Sequence, residues 1–256
     1  MEEVIPELCP KCAGTGWEVV SEGDTSRARR CMCSVGADTE KLFAAAKIPP
    51  RYSPCDFETY IPQSFGQGKI KNLVMNYAQD YPLLDEETFR ERSLLFTGGA
   101  GRGKTHLGIA ILKTLLKKGV PSLFVDFHEL LSEIRSSYDE ISQTSEYQIL
   151  HPILNVEVLM LDDLGSIRMT DWMQDTVFHI INLRYNYRRP LIVTSNLGME
   201  GSRISGQEAL QDRLGYRVVS RLYEMCTTLE LDGPDYRKDV RKAGGDFLRS
   251  KKEGQA

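Results

Sequence analysis

Eight consecutive residues, Gly98-Gly-Ala-Gly-Arg-Gly-Lys-Thr105, carry the clearest chemistry in this sequence. They fit G-x-x-x-x-G-K-[ST], with Gly98, Gly103, Lys104 and Thr105 at the fixed positions. Backbone without Cβ atoms wraps closely around phosphate oxygens, and the loop amides then point inward as an anion nest. The nucleotide-binding set is therefore Gly98, Gly99, Ala100, Gly101, Arg102, Gly103, Lys104, Thr105 and His106. Lys104 is expected on the β- and γ-phosphates, and the Thr105 hydroxyl on Mg²⁺.

Val-Leu-Met-Leu-Asp-Asp (158–163) is an apolar run with an acidic end. Asp162 is expected to hold Mg²⁺ through water and Asp163 to orient an attacking water. Asn196 closes Leu-Ile-Val-Thr-Ser-Asn, where it can sense a γ-phosphate or place water. Arg213, Arg217 and Arg221 are four apart and are expected on one helix face. Such a row is a solvated face, an ion-pair ladder, or an arginine finger lent to a neighbouring subunit. A cation on the developing charge speeds phosphoryl transfer on the order of 10³ to 10⁵. Arg237, in Pro-Asp-Tyr-Arg, can send a further cation to the nucleotide.

Four of the six cysteines lie near the N-terminus, as Cys9-Pro-Lys-Cys12 and Cys31-Met-Cys33. Their spacing suits a closed four-thiolate Zn²⁺ site, which leaves no open position for catalysis. A 2Fe–2S cluster and metal-free cysteines are the alternatives. A hairpin starting with Trp17–Val20 and turning near Glu22 to Asp24 fits between the pairs. A segment this short folds only if the metal supplies the energy. Arg27, Arg29 and Arg30 stand ready to offset the thiolate charge.

These groups need a scaffold that brings distant residues together. Apolar runs at 93–97, 122–127, 156–161, 191–196 and 227–231 read as strands. Helical spacing is visible at 38–47, 69–81, 105–118, 128–138, the latter part of 141–154, 170–188 and 207–225. Alternating strands and helices mean an α/β fold with a largely parallel sheet, whose ligands bind at the carboxyl ends of strands. Gly98, Asp162 and Asn196 all fall at such ends. The chain divides into a four-cysteine module (1–36), a helical linker (37–68), a nucleotide domain (69–235) and a basic tail (236–256). Gly66 and Gly68 punctuate the linker, and Cys55 is a packing residue.

Composition bounds the function. The 256 residues are 41% hydrophobic and 27% charged, with a formal net charge of −4. That excludes a generally basic nucleic-acid binder, so any DNA contact must be local or shared between subunits. No apolar run is long enough for a membrane span, and a cytoplasmic location is expected.

The phosphate loop, Asp162-Asp-Leu-Gly, Thr-Ser-Asn196, Ser-Arg221-Leu and Tyr-Arg237 together resemble the AAA+ helicase loaders of the DnaC/DnaI type and their relative IstB, the transposition helper ATPase. The resemblance runs over about 45–240 and includes Ile48-Pro49 and Cys55-Asp-Phe-Glu58. It implies an AAA+ P-loop fold with ATP and Mg²⁺, in which Asp162 and Asp163 form Walker B and Asn196 is sensor I; the Zn²⁺ is read from the cysteine spacing. Arg221 is the implied finger, with Arg217 as neighbour, and Arg237 matches sensor II. Self-association through the ATP site follows. The resemblance further implies single-stranded DNA contacts within 127–154, where Arg135 and Tyr138 combine a cation with an aromatic ring. Asp163 departs from the Glu common in this position. The cysteine module resembles loader N-termini only loosely and tips the reading toward a loader, because the transposition helpers lack one. The expected function is an ATPase that loads a DnaB-type replicative helicase onto single-stranded DNA. A transposase helper on duplex DNA and a nucleotide-gated adaptor are the rivals.

Overall fold

A computed structural model describes residues 17–22, 25–30, 32–84, 92–138, 145–199 and 208–240. The first elements are an antiparallel hairpin, β1 (Trp17–Glu22) and β2 (Thr25–Arg30), with Trp17 opposite Arg30. Helix α1 (Met32–Ala45) starts before the expected Asp38 and takes in Cys33. Just beyond it, the Ala46 carbonyl accepts the Phe124 amide at 2.8 Å and so covers a sheet edge.

The main sheet has five parallel strands. They are β3 (Ser93–Thr97), β4 (Ser122–Asp126), β5 (Val158–Asp162), β6 (Leu191–Thr194) and β7 (Cys226–Glu230), in the spatial order β4-β5-β6-β3-β7. Successive side chains enter opposite layers, as a pleated strand demands. Leu94, Phe96, Val158, Met160 and Ile192 join one core, whereas Leu95, Leu159, Leu161, Leu191 and Val193 join the other. Burial on both faces explains why these strands read as unbroken apolar runs.

Helices α2 (Phe65–Asp80) and α3 (Lys104–Lys117) cover the first face. Helices α4 (Phe127–Ser136), α5 (Glu146–Asn155), α6 (Asp171–Asn186), α7 (Leu210–Leu214) and α8 (Tyr216–Met225) pack into the second core. Arg184 of α6 is fully buried and donates to the carbonyls of Ile153, Val156, Glu157 and Pro190. One guanidinium thereby ties the end of α5 to the starts of β5 and β6.

Two expectations are corrected. Gly66 and Gly68 do not punctuate a linker; they lie inside α2, which Ser64 caps by accepting the Gln67 amide at 3.0 Å. The arginine row is also broken. Gly215 (φ 79, ψ 157) separates α7 from α8, so Arg213 leaves the face shared by Arg217 and Arg221 and pairs with Glu208 instead.

Candidate nucleotide site

The phosphate loop joins β3 to α3, and each of its fixed glycines is pressed against a different part of the chain. A Cβ on Gly98 would sit 2.2 Å from the Leu231 carbonyl oxygen, and one on Gly103 2.5 Å from the Tyr60 ring. Between them, a Cβ on Gly101 would meet the Asp235 carboxylate at 1.9 Å. All three have positive φ, which glycine alone adopts without strain. The loop's shape is therefore fixed by residues 60 and 231–235 as well as by its own sequence.

Above the carboxyl ends of the strands lies a cleft of about 530 Å³. Ala100, Gly101, Arg102, Gly103, Lys104, Thr105, His106, Asp162, Asp163, Asn196 and Arg237 line it. Gly98 and Gly99 lie below and offer carbonyls to the Lys104 ammonium, each at 2.8 Å. Asn196 Oδ1 accepts a third bond from the same ammonium at 2.7 Å. Burial pushes this lysine down to about 8, against the pull of Asp163 and Asp162.

Asp162, Asp163 and Asn196 form one network with Lys104, Thr105 and Thr194. Thr105 donates to Asp162 at 2.9 Å, and Thr194 donates to the same Oδ1 at 2.6 Å. The Asp163 amide donates back to the Thr194 hydroxyl at 2.9 Å. Burial raises the Asp162 carboxyl, an effect the two threonine hydroxyls oppose. Asn196 Nδ2 donates to Asp163 Oδ1 at 2.6 Å, so one amide spans the lysine and the second aspartate. Asp163 itself has φ 59. Its short side chain suits that left-handed backbone, since Asp is several-fold enriched there.

Thr194 belongs to this site although the sequence reading passed over it for Asn196. Part of the expected linker (37–68) belongs to the site instead: Arg51, Tyr52, Pro54, Cys55, Thr59, Tyr60, Ile61 and Gln63 wall the cleft. The segment is latched to α3: Lys113 pairs with Asp56 at 3.1 Å, and His106 Nε2 meets the Asp56 carbonyl at 2.8 Å. Proline punctuation beside Tyr52, Phe57 and Tyr60 was the available signal, because aromatic residues clustered in a linker need something to pack on. Asp126, in register with Asp162, also reaches the cleft.

Other candidates lie elsewhere. Arg217 and Arg221 do not line this cleft; both guanidiniums stack over Phe178 of α6. Arg135 ends α4, exposed, and Tyr138 is 56% exposed with its hydroxyl on Glu146 at 2.8 Å. Cys9, Cys12 and Cys31 lie outside the described residues. Among the described residues no His, Cys, Asp or Glu cluster fit for a metal ion is found. None of their helices is long and apolar enough to cross a membrane.

A parallel sheet with the phosphate-loop strand β3 between β6 and β7, and with acids and asparagine at neighbouring strand ends, defines a P-loop nucleotide-binding fold of the AAA+ kind. Residues 38–244 match the family model of the IstB-like ATP binding proteins, and the chain belongs to that family. It is 27% identical over 205 residues to the replicative helicase loader DnaC of Buchnera aphidicola subsp. Schizaphis graminum, covering 79% of this chain and 77% of that one. A crystal structure of the DnaC helicase loader aligns at 34% identity with a TM-score of 0.60, over 72% of this chain and 100% of that chain. A crystal structure of DnaI aligns at 26% identity with a TM-score of 0.57, over 74% and 94%.

Proposed function

We propose that this chain is an ATPase that binds a DnaB-type replicative helicase and helps place it on single-stranded DNA. The observation that carries the reading is the convergence of Lys104, Thr105, Asp162, Asp163 and Asn196 in one cleft, in a chain that resembles helicase loaders over most of its length. The absence of an N-K-x-D guanine-reading motif favours ATP.

Thr105 and Asp162 present oxygen atoms 2.9 Å apart, the hard donor set that Mg²⁺ prefers, and so they fit the ion. When bound with nucleotide, Mg²⁺ supplies positive charge at the β- and γ-phosphates. Lys104 leaves the loop carbonyls for phosphate oxygens, and Arg237 adds a cation from the far wall. Asp163, held by Asn196, orients the attacking water. Loss of the γ-phosphate then changes both partners of Asn196 at once. A finger from a neighbouring copy, Arg221 or Arg217, completes the site in an oligomer that hydrolysis resets.

The four-cysteine module (1–36) holds Zn²⁺ and docks the helicase; residues 37–50 join it to the ATPase domain, which takes in the cleft wall at 51–63, helix α2 and Arg237 as well as 69–235. The β1–β2 hairpin supports this, because pairing Trp17 with Arg30 returns the chain to the end where both cysteine pairs attach. Arg135 and Tyr138 take single-stranded DNA, and the protein works in the cytoplasm.

The test is capture of the cognate helicase hexamer with ATP by the full chain and by a chain lacking only 1–36, which keeps the cleft wall at 51–63. Capture that depends on 1–36 supports loading through the module. No capture by either sinks it, and the rival reading, an IstB-type transposase helper gripping duplex DNA, takes its place.

A further inference from the structure

Two arginines four residues apart repel each other, and pairing with acids is the usual remedy. Arg217 and Arg221 lack it. Arg217 is exposed and Arg221 half-buried, and neither has a carboxylate within ion-pair distance among the described residues. They share one aromatic ring instead. The Arg217 guanidinium carbon lies 4.1 Å from the centre of Phe178 and that of Arg221 lies 4.8 Å from it. Arg221 also lies 5.6 Å from the Tyr185 ring. A guanidinium stacks flat on such a face and keeps its N–H edge directed outward.

The two side chains are held differently. Arg221 Nε donates to Asn182 Oδ1 at 2.9 Å, and its Nη1 donates to the Arg217 carbonyl at 2.9 Å. Its position is thus fixed from two sides, with Nη2 left over. Arg217 makes no hydrogen bond through its guanidinium to a described residue, and the ring alone orients it. Phe178 and Asn182 are one helical turn apart on α6, as Arg217 and Arg221 are on α8. Two helices therefore build a doubly cationic edge with unused donors, away from the chain's own cleft.

We propose that Phe178 is the positioning residue of a two-guanidinium clamp, formed by Arg217 and Arg221, that takes the terminal phosphate of a nucleotide held by a second copy of this chain. The proposal rests on the self-association described above and deepens it. The finger is not a single arginine to be chosen between two. The anchored Arg221 and the ring-oriented Arg217 act as one unit, and the aromatic face sets their spacing. A phosphoryl group with three charged oxygens has room for both forks.

The experiment measures steady-state ATP turnover and fluorescent-ATP affinity of the full chain, with Phe178→Leu and Phe178→Tyr. Leucine removes the aromatic face and is expected to lower kcat on the order of 10- to 100-fold, with nucleotide Kd unchanged within about twofold. Tyrosine keeps the face and restores kcat. Mixing Phe178→Leu with Lys104→Ala then separates position from folding. The second variant donates an intact clamp and binds no nucleotide, so turnover above the sum of the two parts is expected. Wild-type kcat in Phe178→Leu, while an Arg221→Ala and Lys104→Ala mixture still recovers turnover, overturns the clamp and leaves self-association standing. No recovery in either mixture, with specific activity flat against protein concentration, removes the self-association reading and the clamp with it.

Discussion

Burial pushes the Lys104 ammonium down to about 8, while the proposed role on phosphates needs it charged. The folded value lies below the unfolded one, so the unfolded chain binds more protons between about pH 8 and pH 10.5. Lys104 therefore opposes folding below about pH 8, and that opposition fades as pH rises toward 10.5. Nucleotide affinity runs the other way. It is expected to fall about tenfold between pH 7 and pH 9 as the ammonium loses its proton, measured by fluorescent-ATP titration across that range. Asp163 makes a second prediction at this scale. Its left-handed backbone is tolerated equally by Asn, so Asp163→Asn is expected to fold and bind ATP normally while turnover drops on the order of 100-fold. Unchanged helicase capture and loading by that variant would favour a nucleotide-gated adaptor. The phosphate loop, Asp162, Asp163 and Asn196 were legible because each motif is local and its spacing encodes its geometry. Thr194 was not, because its role lies in bonding Asp162 and Asp163 across neighbouring strands.

Among the elements, α7 and α8 show how far one glycine governs a surface. Gly215 has open space around its Cβ direction, so any side chain would fit, yet its φ and ψ belong to glycine alone. Gly215→Ala is expected to cost about 1 to 3 kcal/mol of stability through the backbone alone, read from urea unfolding. It should also disturb the break that separates Arg213 from the Phe178 stack. The strands were legible from composition because both faces are buried. The start of α2 was hidden by its own glycines. Gly66 is there for space: a Cβ would lie 3.1 Å from the Asp232 carboxylate, which accepts the Ser64 hydroxyl at 2.7 Å. That reason sits 166 residues away in the chain, where no periodicity can announce it. The same holds for residues 51–63, whose latches Lys113 and His106 belong to α3.

For the whole molecule, the proposal joins an ATP site, a helicase-docking module and a DNA-binding edge in one chain of modest acidity. Zinc is tested by elemental analysis of purified protein. About one Zn²⁺ per chain is expected, lost together with helicase capture when Cys9 and Cys12 become Ser, while nucleotide affinity is retained. Iron in its place, or no metal, would remove the zinc module from the account. The fold class and the order of strands and helices were readable because a parallel sheet repeats one simple pattern.

The glycine-rich loop at 98–105 is completed from the far end of the fold. Leu231 lies against Gly98, Asp235 against Gly101, and the Tyr236 amide donates to the Gly101 carbonyl at 3.1 Å. During synthesis, residues 98–105 leave the ribosome long before these partners do. A nascent chain thus carries the whole motif without its brace. In the proposed ATPase, only a finished subunit holds ATP and enters an assembly, so incomplete copies are kept out by the order of translation itself.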